Sequence, residues 1–403
     1  MSKVKIFFFL LVIIIGCKKI NEDCNQDAYP NAPKKEWFKS YGGRYKESHG
    51  HFIIACEDGG FLQVGETGNL SESTKICVIK TNITGDLIWK KEFAEGNHNL
   101  GNSIIEISDG YVICGSMNKN SCIIKLNKDD GDIMLKETID NGGTDAFEHI
   151  AEFNEGFIAV GYINAQDDLN TFYAEGEGYI SYLTSEGEKL NGKNIDNYLS
   201  HSYRIKKFEN SFFISGLTKN AEDYGLIKLD SSSNIVWNRN FGGAKSDHCF
   251  GMDVNSNGDV FLTGHTLSGT KNWDTYTLKI DKEGNKIWGN TSGNPRGFNP
   301  KYIHDEAWGV KATIDEGCII VAGTGDEYRR YKRKCGNSGD NSNQWHVYVI
   351  KFDKWGNIEW QQVYSNENQE ENWAGEDITL STNGEIIIAV DNGEFGFLKI
   401  EDY

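Results

Sequence analysis

The 403-residue chain carries 59 Asp and Glu against 41 Lys and Arg, for a formal charge of −18, with 45 glycines, only four prolines and aromatics at 12%. That aromatic content, with charged residues at 25%, excludes a disordered chain. The acidic balance excludes a reader of nucleic-acid backbones, and abundant Gly with scarce Pro is the balance of many strands joined by tight turns.

The chain opens with Lys3 and Lys5, then ten unbroken apolar residues from Ile6 to Ile15. Ten helical residues span about 15 Å, roughly half a bilayer core, so the segment reads as a secretory signal and not as a membrane span. It ends in Ile14-Ile15-Gly16-Cys17, which resembles a bacterial lipobox with Cys17 as the lipidated residue. Residues 1–16 are therefore expected to be a lipoprotein signal peptide and 17–35 a lipidated tether. Loss of Lys3 and Lys5 on cleavage takes the charge from −18 to −20.

From residue 36 to 403 one phrase repeats: an apolar stretch, a tight turn, apolar residues ending in Gly, a variable loop, an apolar-Lys stretch, a Gly or Asn turn, and an aromatic strand. The second-strand glycine recurs as Gly65, Gly115, Gly161, Gly216, Gly264 and Gly323. The third-strand lysine recurs as Lys80, Lys125, Lys228, Lys279, Lys351 and Lys399, with Tyr182 in the third copy. A Trp follows that lysine by nine residues in Lys80/Trp89, Lys228/Trp237, Lys279/Trp288 and Lys351/Trp360, which predicts a fixed hairpin register. Each copy is four short strands, here A to D, the signature of a β-propeller blade.

The ends set the count. The last copy stops after Phe397-Leu398-Lys399-Ile400 with no D strand, whereas Glu36-Trp37-Phe38-Lys39-Ser40-Tyr41 matches the D strand around Trp237. The expectation is an all-β, seven-bladed propeller in which the N-terminal strand closes the last blade (1+3).

A–B and C–D turns are tight, and the variable insertions fall between B and C or between D and the next A. These two loop classes share one face, so function is expected there. All nine histidines lie in or beside those loops. In blade six, Tyr328, Arg329, Arg330 and Arg333 belong to a basic run on an acidic chain, followed by Trp345 and His346. His304, Trp308 and Trp373 lie on the same face. Cations beside aromatics suit an anionic sugar, so Arg329, Arg330, Arg333, His304, Trp308, Trp345, His346 and Trp373 are the candidate ligand-binding residues. Cys56, Cys77, Cys114, Cys122 and Cys318 fall on strands, where buried thiols are usual, and a Cys114–Cys122 disulfide is left open. No CxxC, HxxxH, P-loop or dinucleotide pattern is found, so neither metal nor cofactor is expected.

The Asp-Gly-Gly, apolar-Lys and Gly-Asn-x-x-Trp phrases resemble the repeat of bacterial, Bacteroidota-like propeller lipoproteins, and more distantly the propeller ulvan lyases. The first resemblance implies a bacterial envelope lipoprotein, membrane-held through its acyl anchor on the periplasmic or surface side. The second implies a His base, a Tyr acid and a cation neutralising a uronate carboxylate: here His248 or His265, Tyr328, and Arg329, Arg330 or Arg204. Three functions follow as expectations: binding of an anionic polysaccharide or partner protein by a monomer, cleavage of a uronate glycan, or a scaffold role in an envelope complex.

Overall fold

The computed structural model describes residues 29–42, 48–69, 72–165, 176–219, 223–326, 341–367, 371–381 and 383–402. In them, twenty-eight strands form seven antiparallel four-stranded sheets. The inner A strands are Ser48–Ala55, Asn99–Ile107, Thr144–Phe153, His201–Phe208, Asp247–Val254, His304–Ala312 and Ala374–Leu380. Each packs against the A strands of both neighbouring blades, and the seventh returns to the first. The protein is a seven-bladed β-propeller.

The seam is made as the chain ends predict. Lys35–Tyr41 pairs antiparallel with Phe395–Ile400 and becomes the D strand of blade seven. The Lys–Trp offset has a direct cause: Lys80 lies opposite Trp89, Lys228 opposite Trp237, Lys279 opposite Trp288 and Lys351 opposite Trp360. Lys399 lies opposite Trp37, so the seam reproduces the same pair from the two ends of the chain.

These lysines hold the plain face together. The ammonium of Lys80 reaches Asp58 at 2.8 Å, that of Lys125 reaches Asp109 at 2.8 Å, that of Lys279 reaches Asp259 at 3.1 Å and that of Lys351 reaches Asp315 at 2.6 Å. Each acid belongs to its own blade's A–B turn. Lys351 is fully buried and has Glu359 as a second carboxylate at 2.8 Å. A buried charge is tolerated only when paired in this way. The most regular sequence motif is thus a structural staple.

Two details concern points the sequence left open. Part of the segment assigned to the tether is already docked: Tyr29 and Ala32 pack on the core between blades six and seven, and the Tyr364 hydroxyl donates to the Pro33 carbonyl at 2.7 Å. Cys114 and Cys122 are both free. Cys114 lies opposite Ile123 and Cys122 opposite Gly115, so the two thiols point to opposite faces of the hairpin and enter different cores. The lipobox and Cys17 lie outside the described residues.

Candidate functional site: the mouth of the propeller axis

Every A strand carries a register shift at one equivalent point. The residues bulged out are His51, Asn102, Glu148, Tyr203, Phe250, Trp308 and Glu376, one per blade. A bulge leaves one residue unpaired and re-aims its side chain. Repeated seven times on the innermost strands, it makes a ring around the axis at the elaborated face.

Contacts between non-adjacent blades show that these strands converge. One residue below the ring, Phe52 of blade one meets His149 of blade three with ring centroids 5.2 Å apart. The guanidinium of Arg204, on blade four, lies 5.2 Å from the same Phe52 ring. These three side chains form a floor beneath the mouth. Burial, then the nearby Arg204, Lys206 and Lys311, hold the His149 imidazole well below its usual pKa and therefore neutral.

The ring has two unlike halves. On blades four to six Tyr203, Phe250 and Trp308 run in sequence, with centroids 4.8 Å and 4.3 Å apart. His201 stacks on Tyr203 at 4.2 Å, and His265 packs 5.2 Å from Phe250 and 5.8 Å from Trp308. Tyr203 and Phe250 are buried, while Trp308 keeps part of its surface open. The buried rings therefore fix the one that remains accessible.

The other half is acidic. On blades seven, one and three stand Glu376, Asp391, Glu66 and Glu148, with Glu306 of blade six alongside. The His51 imidazole meets Glu66 at 2.6 Å, His201 meets Glu148 at 3.0 Å, His304 meets Glu306 at 3.1 Å, and His49 approaches Asp391 at 3.7 Å. Burial alone would lower His51. The charge and hydrogen bond of Glu66, helped by Glu376 and Glu148, instead push it up to about 9, so it is an imidazolium at neutral pH. Glu66 in turn is held below its usual value: burial raises it, but His51 outweighs that. Burial, then the charge of Asp391, pushes Glu376 up to about 7. The mouth thus holds one firmly ionised carboxylate and one that gains its charge near neutrality.

The sequence-predicted residues divide. His248 and His265 are direct cross-strand partners with rings 5.3 Å apart, both against Trp273 at 4.7 and 4.8 Å. They join Trp308 in the aromatic half, and Arg204 lies at the floor. His304 sits beside Trp345, with rings 6.4 Å apart, at the head of blade six's A strand. His346 is buried there, and burial lowers its pKa to about 3. Trp373 is not at the mouth: it is 2% exposed and stacked on Phe38 of the N-terminal strand at 3.9 Å. Tyr328, Arg329, Arg330 and Arg333 lie outside the described residues.

Sequence reasoning missed Glu66, Glu148, His51 and Asn102 as site residues. A signal existed, for Asn102, Glu148 and Tyr203 each precede their blade's second-strand glycine by thirteen residues. It also missed Arg296, which is fully buried and donates to the carbonyls of Thr324, Gln344 and Asn341 at 3.2, 2.6 and 2.7 Å. That guanidinium ties together the two ends of the long B–C loop of blade six.

No protein-family model matches this sequence, and no curated protein matches it. Solved structures share the fold. The WD40 β-propeller domain of Doa1 aligns with TM-score 0.54 at 10% identity, covering 92% of this chain and 97% of that one. A catalytically inactive virginiamycin B lyase from Staphylococcus aureus with quinupristin gives 0.53 at 13% identity, covering 91% and 99%. Hydrazine synthase of Kuenenia stuttgartiensis gives 0.57 at 10%, covering 91% and 98%. At such identities the likeness concerns the propeller alone, a scaffold for many unrelated activities.

Proposed function

We propose that this protein is a glycan-binding propeller, held in a bacterial envelope by a lipid on Cys17, with its binding site at the axis mouth. The observation that carries the reading is the ring of seven bulged residues, which places one accessible indole, Trp308, opposite an arc of hydrogen-bonding side chains. An indole offers a flat apolar surface to a sugar ring, while His51, Asn102, Glu148, Glu306 and Glu376 offer partners to hydroxyl groups. Tyr203 and Phe250 brace the platform, so little ordering is lost on binding.

The anionic glycan expected from sequence depends on the cation run 329–334, since the acid-rich mouth is an unfavourable field for a polyanion. Cleavage of a uronate glycan is a second reading, favoured by the His248–His265 pair beside Trp273. Ultraviolet absorbance of an unsaturated uronate product, sought over a panel of uronate polymers, tests it.

The test of the main reading is titration calorimetry of wild type and W308A against neutral, amino and uronate oligosaccharides. W308A is expected to weaken the productive ligand about tenfold or more, the loss of about 1.4 kcal/mol or more. Unchanged affinity in W308A would place the site elsewhere.

A further inference from the structure

We infer that the propeller axis holds a second binding site, below the floor of the mouth, where Arg204, Lys311 and His149 take a small free oxyanion of the phosphate or sulfate type. This site is separate from the glycan platform and does not depend on it.

Strand register places the groups. Side chains alternate along a strand, so the first and third residues after each bulge point to the same side. The first position is held by Phe52, His149, Arg204 and Asp377 on blades one, three, four and seven. The third is held by Lys206, Asp253 and Lys311 on blades four, five and six. The first tier meets across the axis, because the Phe52 ring touches both His149 and the Arg204 guanidinium. The second tier reaches the same place. After burial itself, the groups acting on His149 are Arg204, Lys206 and Lys311, and those acting on Lys311 are Lys206, Asp253, Asp377 and Arg204. Five charged side chains from blades four to seven thus gather around one length of the axis.

Their charges do not cancel. Lys206 pairs with Asp253 at 3.3 Å, and that carboxylate also accepts from the Ala312 N–H at 2.9 Å. Asp377 turns to blade one, where it accepts from the Ile53 N–H at 3.1 Å. Among the described residues, neither Arg204 nor Lys311 has an ion-pair partner. Arg204 donates to the carbonyl of its own neighbour Tyr203 at 3.2 Å, and the Lys311 ammonium donates to none of those residues. Burial, then the charge of Lys206, holds Lys311 below its usual pKa, although Asp253 and Asp377 oppose the shift. A cation withdrawn from water without a counter-charge is costly, and a bound anion removes that cost.

An independent observation is His149. It is 3% exposed, and neither ring nitrogen has a hydrogen-bond partner; the Ile150 backbone lies near it in no geometry that makes a bond. A buried polar group left in this way calls for a partner. The imidazole is neutral, so it offers an N–H without adding charge. An oxyanion on the Arg204 guanidinium would accept that N–H. The kind of anion follows from the donors. A guanidinium presents paired N–H groups that match two oxygens of a tetrahedral anion, and an ammonium binds a further oxygen as a point charge. Lys206, Asp253 and Lys311 keep accessible surface, so ions reach this tier from the plain-face side. The buried Phe52 stands between them and the acids of the mouth.

The test is thermal unfolding of the intact protein in about 10 mM inorganic phosphate or sulfate against sodium chloride of equal ionic strength, with titration calorimetry of the same ions. Either oxyanion is expected to raise the wild-type melting temperature by about 1 °C or more over chloride. R204Q and K311M should lose that rise and bind phosphate at least tenfold more weakly. In chloride, K311M should melt no lower than wild type, since it replaces an unpaired charge by an apolar chain of similar length. W308A should keep the full oxyanion effect, because Trp308 lies on the other side of the floor. No rise beyond chloride in wild type, or an equal rise in R204Q and K311M, would overturn the site. A rise lost in W308A but kept in K311M would place the anion at the mouth and overturn it as well.

Discussion

The indole of Trp37, on the N-terminal strand that closes blade seven, lies where the side chain of residue 85 would be. A Cβ built on Gly85 would fall 2.6 Å from the Trp37 ring, and Gly85 has φ of +78°. The Tyr41 hydroxyl donates to the Gly85 carbonyl at 2.6 Å, and the Lys39 ammonium reaches the Thr84 carbonyl and Asp86 at 2.7 and 2.6 Å. The outer strand of one blade thus latches the C–D turn of the next. Trp89 meets Gly131 and Trp288 meets Gly356 in the same manner, and the Trp288 indole N–H donates to the Lys354 carbonyl at 3.0 Å.

The latch predicts an unequal response of similar glycines. Gly384 also has a positive φ, +87°, but nothing lies within 4 Å of its would-be Cβ. G384A should therefore meet only the backbone cost, about 1–2 kcal/mol. G85A and G356A should cost that plus roughly 1–3 kcal/mol of overpacking. Urea denaturation of the three variants checks this. Equal midpoints would mean that the indole contact contributes nothing.

Glu376 predicts a slope of stability with pH. Its folded pKa of about 7 lies above its ordinary 4.5, because of burial and then Asp391, with Glu306 adding to the rise and His51 and His49 opposing it. The folded state therefore binds more protons than the unfolded state between these values, and stability falls as pH rises through that window. His51, raised to about 9, adds a loss between 6.5 and 9. E376Q should match or fall slightly below wild type at pH 4 and exceed it at pH 8, by roughly 1–3 kcal/mol. Parallel curves for the two proteins would contradict the environment described for Glu376.

The resemblance of Ile14-Ile15-Gly16-Cys17 to a lipobox predicts covalent acylation. When the full chain is expressed in a bacterium fed labelled palmitate, wild type should carry label in the membrane fraction. C17S should lose the label and, if exported, be released as soluble protein. Labelled C17S would rule out the anchor.

The fold was legible where spacing in sequence equals contact in space. The nine-residue step from lysine to Trp works because the two are direct cross-strand partners, and the blade count works because Trp37 completes a pair with Lys399. The site was less legible because a bulge breaks the period-two pattern on which strand reading depends. The seven bulged residues are of six types, so no composition rule links them. Trp308 and Trp373 look alike in sequence, each amid acids at the head of an A strand. Trp308 stands at the bulge itself, whereas Trp373 stands three residues before the bulge at Glu376 and is taken by Phe38 from the far end of the chain. His51, His201, His248, His265 and His304 lie at or beside the mouth, drawn there by the starts of A strands and the end of a B strand.

Hydrogen–deuterium exchange with and without the tightest-binding oligosaccharide decides whether the ligand sits at the axis mouth. Binding there adds protection in the peptides containing His51, Asn102, Glu148, Trp308 and Glu376, far apart in sequence and joined at the axis, with none at the plain-face turns around Gly59, Gly258 and Gly384. Protection confined to a single blade's outer loop, with the bulged strands unchanged, would contradict it.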